Sequence, residues 1–156
     1  MQKTQVTQEE AWLQLQTYCK EKERCQAQAV AQLLDLNITE TVIKQIITDL
    51  KQQDLLNEDR FACAYVRDKM KSKKWGRQRL IKELTFLKIP VNSIKKAFSE
   101  IDNTEYIATL KAILIQKTAL YRLKNDAFET RKKAAIYALK KGYEQSLIWV
   151  VINELE

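Results

Sequence analysis

The sequence predicts an all-α protein, and three observations carry that prediction. Only two glycines (Gly76, Gly142) and one proline (Pro90) occur in 156 residues, too little material for the tight turns of hairpins and Greek keys. Ala, Leu, Lys, Gln and Glu dominate throughout, all of them good helix formers. Apolar residues recur at helical rather than alternating spacing along almost the whole chain.

Taken in order, the apolar periodicity places helices near 8–22, 26–36, 40–52, 58–72, 76–88, 91–101, 104–123, 127–140 and 144–155. Thr7-x-x-Glu10 before Ala11 and Trp12 opens the first as a capping box, the hydroxyl taking one orphan amide and the carboxylate another. Asn57 with Glu58 and Asp59 opens the fourth, and Asn103-Thr104-Glu105 the seventh, each with negative charge at the positive end of the helix dipole. Leu36-Asn37-Ile38-Thr39, Leu87-Lys88-Ile89-Pro90 and Lys140-Lys141-Gly142-Tyr143 break the periodicity at similar intervals, each followed by another helix of about a dozen residues.

Those breaks mark an internal repeat of about fifty residues. Val30 and Leu34 align with Leu80 and Leu84, then with Ala135 and Leu139. Ile43, Ile46 and Leu50 align with Ile94, Ala97 and Ile101, then with Ile148, Val151 and Leu155. The expected organisation is three tandem three-helix units, residues 1–56, 57–102 and 103–156. A unit of that size buries little surface alone, so neighbours share apolar faces in an elongated, curved array. In the third unit Ile107, Leu110, Leu114, Ala119 and Tyr121 are the expected packing residues of the long helix. On the next, Phe128, Ala135 and Leu139 are expected to face away from its cations.

Several function classes are excluded early. No apolar run approaches the ~20 residues of a membrane span, and no apolar signal core stands behind Met1-Gln2-Lys3-Thr4-Gln5, so a soluble, cytoplasmic protein is expected. Cys19, Cys25 and Cys63 are unevenly spaced and no histidine accompanies them, a poor zinc set that reads as reduced, buried thiols. The missing histidine also removes the usual general base and every Ser-His or Cys-His arrangement. The pairs Glu9-Glu10 and Glu58-Asp59 sit at helix starts and read as caps. No catalytic residue, metal or cofactor is expected, and the chain is not an enzyme.

Charge supplies the functional signal. Residues 1–60 carry seven Lys/Arg against ten Asp/Glu, residues 61–156 twenty against ten. From Arg67 to Lys82 there are eight cations and one carboxylate around Trp75. A run of lysines on one helix is often only a solvated face. This one continues through Trp75-Gly76 into the next helix, which points to a polyanionic partner. The expected binding residues are Lys69, Lys71, Lys73, Lys74, Trp75, Arg77, Arg79 and Lys82, with a second group at Arg131, Lys132, Lys133, Lys140 and Lys141. Trp75 either stacks on a base or a guanidinium, or plugs the junction between two helices.

Three stretches resemble a known family: Phe61-Ala62-x-x-Tyr65-Val66-Arg67, Lys73-Lys74-Trp75-Gly76-x-x-Arg79-Leu80-x-x-Glu83-Leu84, and Leu139-Lys140-Lys141-Gly142-Tyr143. They look like the bacterial RecX regulatory proteins, which are similar in length, in their three tandem three-helix units and in basic character. The middle junction departs from the family's usual order of basic, glycine, aromatic and small residue, because Lys74 takes the glycine's place. The resemblance implies a non-enzymatic negative regulator of the RecA recombinase in DNA repair, the SOS response and homologous recombination. It would act as a monomer on the RecA filament, protein plus single-stranded DNA, lying in the groove and suppressing ATP hydrolysis, strand exchange and filament growth. Weak direct binding of DNA would accompany this. The alternative is a direct DNA-binding protein whose units act as helix-turn-helix modules, for which Arg77, Gln78 and Arg79 offer base-reading side chains in one unit only.

Overall fold

A computed structural model describes residues 5–155; Met1–Thr4, part of the stretch read above for a signal core, and Glu156 lie outside the described residues. Among these residues there are nine α-helices and no strand: α1 (Gln8–Glu21), α2 (Gln26–Asp35), α3 (Glu40–Gln52), α4 (Glu58–Ser72), α5 (Arg77–Phe86), α6 (Val91–Ser99), α7 (Asn103–Tyr121), α8 (Ala127–Lys141) and α9 (Gln145–Glu154). None of the described helices is long and apolar enough to cross a membrane.

The helix starts follow the local chemistry. Thr7 Oγ1 accepts the Glu10 N–H at 3.1 Å while the Thr7 N–H donates to the Glu10 carboxylate at 3.0 Å, closing the expected capping box. Asn57 Oδ1 accepts the Arg60 N–H at the start of α4. At α7 the cap is Asp102, one residue earlier than expected, and its carboxylate accepts from the Thr104 and Glu105 amides.

The threefold repeat is written into the helix ends. After α2, α5 and α8 the chain turns through a left-handed residue, Asn37 (φ 57), Lys88 (φ 60) and Gly142 (φ 102). Each turn closes with the same bond five residues back: Ile38 N–H to Leu33 C=O, Ile89 N–H to Leu84 C=O, and Tyr143 N–H to Ala138 C=O. This is the Schellman arrangement, which satisfies carbonyls that a helix end otherwise orphans.

These turns correct the register expected for α2 and α8. Counting from the left-handed residue, Ala29 and Leu33 match Leu80 and Leu84 and then Ala134 and Ala138, and all six are fully buried. Val30 and Leu34 stand one position off this set, and Leu34 is 59% exposed. On α8 the buried stripe is Thr130, Ala134, Ala135 and Ala138, whereas Phe128 and Leu139 face solvent. Small side chains let α8 lie close to its neighbours, which pattern reading passes over in favour of larger residues. On α7 the buried residues are Tyr106, Leu110, Ile113 and Leu114; Ile107 and Ala119 are exposed.

Packing divides the chain into two compact units, with the division falling inside α4, α5 and α6. Unit 1 takes the chain up to Tyr65 together with Leu84–Lys96. Its core joins Leu15, Cys19, Leu33, Ile43, Ile46, Ile47 and Leu50. The two carboxylates expected as caps do more than cap here. Glu58 accepts the Gln26 N–H at the start of α2, and burial raises its pKa. Asp59 takes hydrogen bonds from Ser93 and Lys96, which hold its pKa below the usual carboxylate value. Cys19 and Cys25 are free, buried thiols whose pKa values burial pushes up, and Cys63 is half-buried. Unit 2 takes Val66–Glu83 and the chain from Ala97 onward, around Tyr106, Leu110, Leu114, Ala138, Tyr143, Ile148 and Ile152.

Candidate functional site

The two glycines of the chain meet each other. A Cβ on Gly76 would lie 2.4 Å from the Gly142 carbonyl and the Tyr143 nitrogen, and one on Gly142 would lie 2.4 Å from the Arg79 Cβ and 2.6 Å from its amide nitrogen. No side chain fits at either position, so the α4–α5 junction and the α8–α9 turn touch backbone to backbone. Two hydrogen bonds seal the contact, Gly76 N–H to Lys141 C=O at 2.8 Å and Gln78 N–H to Gly142 C=O at 2.9 Å.

Side chains extend it on both sides. Tyr143 Oη donates to the Lys74 carbonyl at 3.0 Å, and the Lys141 ammonium donates to the Lys73 carbonyl at 3.2 Å. Tyr106 Oη accepts the Arg77 N–H at 3.0 Å and donates to the Glu144 carboxylate at 3.1 Å. The Arg77 guanidinium lies 3.9 Å from the Tyr106 ring centroid, pairs with Glu144 at 3.7 Å and donates to Asn103. Desolvation, reinforced by the Glu144 charge, pushes the Tyr143 phenol up to about 12 and raises that of Tyr106 further.

The consequence is electrostatic. Lys73, Lys74, Arg79 and Lys82 come from one part of the sequence and Lys140 and Lys141 from another, and the glycine contact fuses them into a single cationic region. An open groove of ≈ 410 Å³ runs through it, lined by Gln78, Arg79, Lys82, Glu83, Leu139, Lys140 and Gly142. All thirteen residues expected to bind lie in unit 2. Lys71, Lys73, Lys74, Lys82 and Lys140 are exposed, and Lys69, Arg79 and Lys141 are half-buried. Arg77 is also half-buried and is engaged as a strut of the junction. The Trp75 ring is half-buried beneath the chain's own cations, with the Arg79 guanidinium 4.3 Å and the Lys69 ammonium 5.6 Å from its centroid. Arg131, Lys132 and Lys133 do not join this groove. They sit near the start of α8, about 10–14 Å along the helix from Lys140 at 1.5 Å per residue.

Lys74 occupies the left-handed region (φ 55), where an L-residue is strained and glycine is not. That is the physical content of the departure noted in the sequence. That Tyr106, Asn103 and Glu144 engage Arg77 is invisible to pattern reading; the one cue linking the two segments is a lysine pair directly before Gly142 and one residue before Gly76. Among the described residues no group of three or more His, Cys, Asp or Glu is arranged to hold a metal.

Nine helices among the described residues, with one helix-ending turn recurring three times, define a helical-repeat fold. Residues 57–97 match the model of the second three-helix domain of RecX. The chain is 21% identical over 144 residues to the Regulatory protein RecX of Geobacillus thermodenitrificans (strain NG80-2), covering 92% of this chain and 53% of that protein. It thus spans about half the length of the curated relative it matches. Two crystal structures share the fold: RecX from Lactobacillus salivarius, with TM-score 0.85 at 22% identity over 95% of this chain and 96% of that one, and another regulatory protein RecX, with TM-score 0.84 at 18% identity over 94% and 71%. Over residues 57–97 the chain thus matches a RecX domain, and its fold is that of the RecX crystal structures.

Proposed function

We propose that this protein is a non-enzymatic negative regulator of RecA that settles along the groove of the RecA–single-stranded DNA filament and opposes ATP hydrolysis, strand exchange and filament growth. One observation carries the site. The Gly76–Gly142 contact turns two basic segments, distant in sequence, into one continuous cationic region, with Arg79, Lys82 and Lys140 around a single groove. Such a region attracts the phosphates and acidic side chains of a nucleoprotein polymer, setting encounter rate and orientation. The name carried by the relative supports the partner. The matched span 57–97 supports unit boundaries at 1–56, 57–102 and 103–156, so that successive units meet successive recombinase subunits. Holding neighbouring subunits in one relative geometry opposes the conformational cycle that ATP turnover requires.

The test replaces Lys73, Lys74, Arg79, Lys82 and Lys140 with alanine and leaves Arg77, which the fold needs. Inhibition of DNA-dependent RecA ATPase should weaken by about tenfold or more, with loss of co-sedimentation with assembled filaments. Unaltered inhibition at equal folded concentration removes this region from the mechanism. Tight duplex binding without RecA would instead favour a direct DNA-binding protein.

A further inference from the structure

Arg77 and Arg79 stand two positions apart at the start of α5, both half-buried and each against an aromatic ring, yet their guanidinium groups are held differently. Arg77 is saturated: it lies on Tyr106, pairs with Glu144 and donates to Asn103. Arg79 lies 4.3 Å from the Trp75 ring centroid, and among the described residues its guanidinium has neither a hydrogen bond nor an ion pair. Glu83 is four positions further along α5 and lines the same groove, but the two do not pair. Arginine ahead of glutamate is the weaker order for such a pair on a helix, and the ring takes the guanidinium instead.

A ring face attracts a cation through its quadrupole and provides no strong acceptor for the cation's hydrogen-bond donors. Arg79 is therefore held in place while the fork of N–H groups that matches an oxyanion stays unused. The groove beside it gathers donors from two elements, Gln78, Arg79 and Lys82 from α5 and Lys140 from the end of α8. Donors arriving from two directions suit a tetrahedral phosphate, whose oxygens point out of any one plane, better than a carboxylate, whose acceptor sites share a plane. The groove also opens onto the rest of the cationic region, with Lys73 and Lys74 exposed beyond it. Charge spread in that way favours a chain of phosphates over a single free ion.

We propose that Arg79 is the phosphate-recognising residue of this groove, its fork taking one backbone phosphate of a polynucleotide, and that Trp75 is the positioning residue that holds the guanidinium ready. Lys82 and Lys140 act as point charges that attract neighbouring phosphates without fixing their geometry. The inference rests on reading the cationic region as a polyanion site. It assigns the groove to nucleic acid rather than to an acidic protein surface, and the Trp75 ring to the chain's own arginine rather than to a base.

The experiment titrates a fluorescent oligothymidylate with the full chain in the absence of RecA and reads anisotropy, with circular dichroism used to match folded concentrations. Arg79→Lys keeps the charge and the Cβ beside Gly142 but loses the fork, and should weaken binding about tenfold. Lys82→Ala should chiefly lower the salt slope, by about one. Trp75→Leu, or Trp75→Met should leucine not fold, should weaken binding about as much as Arg79→Lys. Combined with Arg79→Lys it should weaken binding no further, because one residue acts through the other. Trp75→Phe retains a ring face and should bind within about threefold of the unsubstituted chain. Unchanged binding by Arg79→Lys, additive losses in the double variant, or no oligothymidylate binding at low salt would each overturn the proposal. So would equal competition by polyglutamate at matched charge or by inorganic phosphate at matched phosphate. RecA ATPase inhibition is a separate measurement: contact through protein surfaces alone would preserve it while this binding fails, and binding through Arg79 without inhibition would refute only the RecA reading.

Discussion

Unit 1 and unit 2 use the same helix-ending turn, yet they fill its critical position differently. In unit 1 the left-handed residues of the repeat turns are Asn37 and Lys88, and Asp54 ends α3 in the same way; all three are exposed to solvent. In unit 2 the matching residue is Gly142, which is buried against Arg79 and Gly76. The turn itself therefore does not require glycine, since asparagine and even lysine adopt it twice in this chain. Glycine is required where another backbone arrives within reach of a Cβ. The charge follows the same division: ten Lys/Arg against ten Asp/Glu in unit 1, seventeen against ten in unit 2. The entire net charge of +7 thus belongs to the unit that holds the glycine contact.

The sharpest way to break this comparison is to exchange the turn residues. Gly142→Asn keeps a residue that tolerates the left-handed region but drives a Cβ into Arg79, and should destabilise the protein by about 3 kcal/mol or more. Asn37→Gly should change stability by less than about 1 kcal/mol. Urea unfolding of both variants decides it; similar losses would mean that turn conformation, not approach, selects glycine.

Alkaline pH should separate the units next. The Tyr106 and Tyr143 phenols are both raised above the ordinary value of 10.0, so the folded state holds their protons more tightly than the unfolded chain does. Their contribution is complete below about pH 10 and declines as pH climbs through the folded value, about 12 for Tyr143. Monitored by tyrosinate absorbance and far-ultraviolet circular dichroism, unit 2 should lose structure in that range. The double variant Tyr106→Phe, Tyr143→Phe should unfold with a shallower alkaline dependence, and an identical dependence would discard this account.

The smallest effect is a gain. Lys74→Gly relieves a left-handed lysine while keeping the carbonyl that Tyr143 donates to, and should raise stability by up to about 1 kcal/mol. A loss of stability on thermal unfolding would show that the lysine side chain contributes more to the junction than its backbone costs.

How much was legible in the sequence depends on which physical effect set each feature. All nine helices, the capping box at Thr7 and the three repeat turns follow from short-range periodicity and from caps that act within one helical turn. The alignment of α3, α6 and α9 held because Ile43, Ile94 and Ile148 are large apolar residues whose burial is unambiguous. The register of α2 and α8 slipped by one because their buried stripes run through alanine, and reading by hydrophobic bulk chose Leu34 and Leu139 instead. The basic segments were visible as composition. Arg77 was grouped with them by charge alone, since the residues that engage it, Asn103, Tyr106 and Glu144, lie at least 26 positions away in sequence.

The sequence by itself determined the class of fold, the threefold repetition and which segments are positive, because helix propensity, capping and net charge are properties of residues and their near neighbours. Tertiary structure decided that Gly76 and Gly142 would touch and that the cations on either side would become one region. Those outcomes depend on which backbones approach closely enough to forbid a side chain, and distances of that kind arise only when the helices pack.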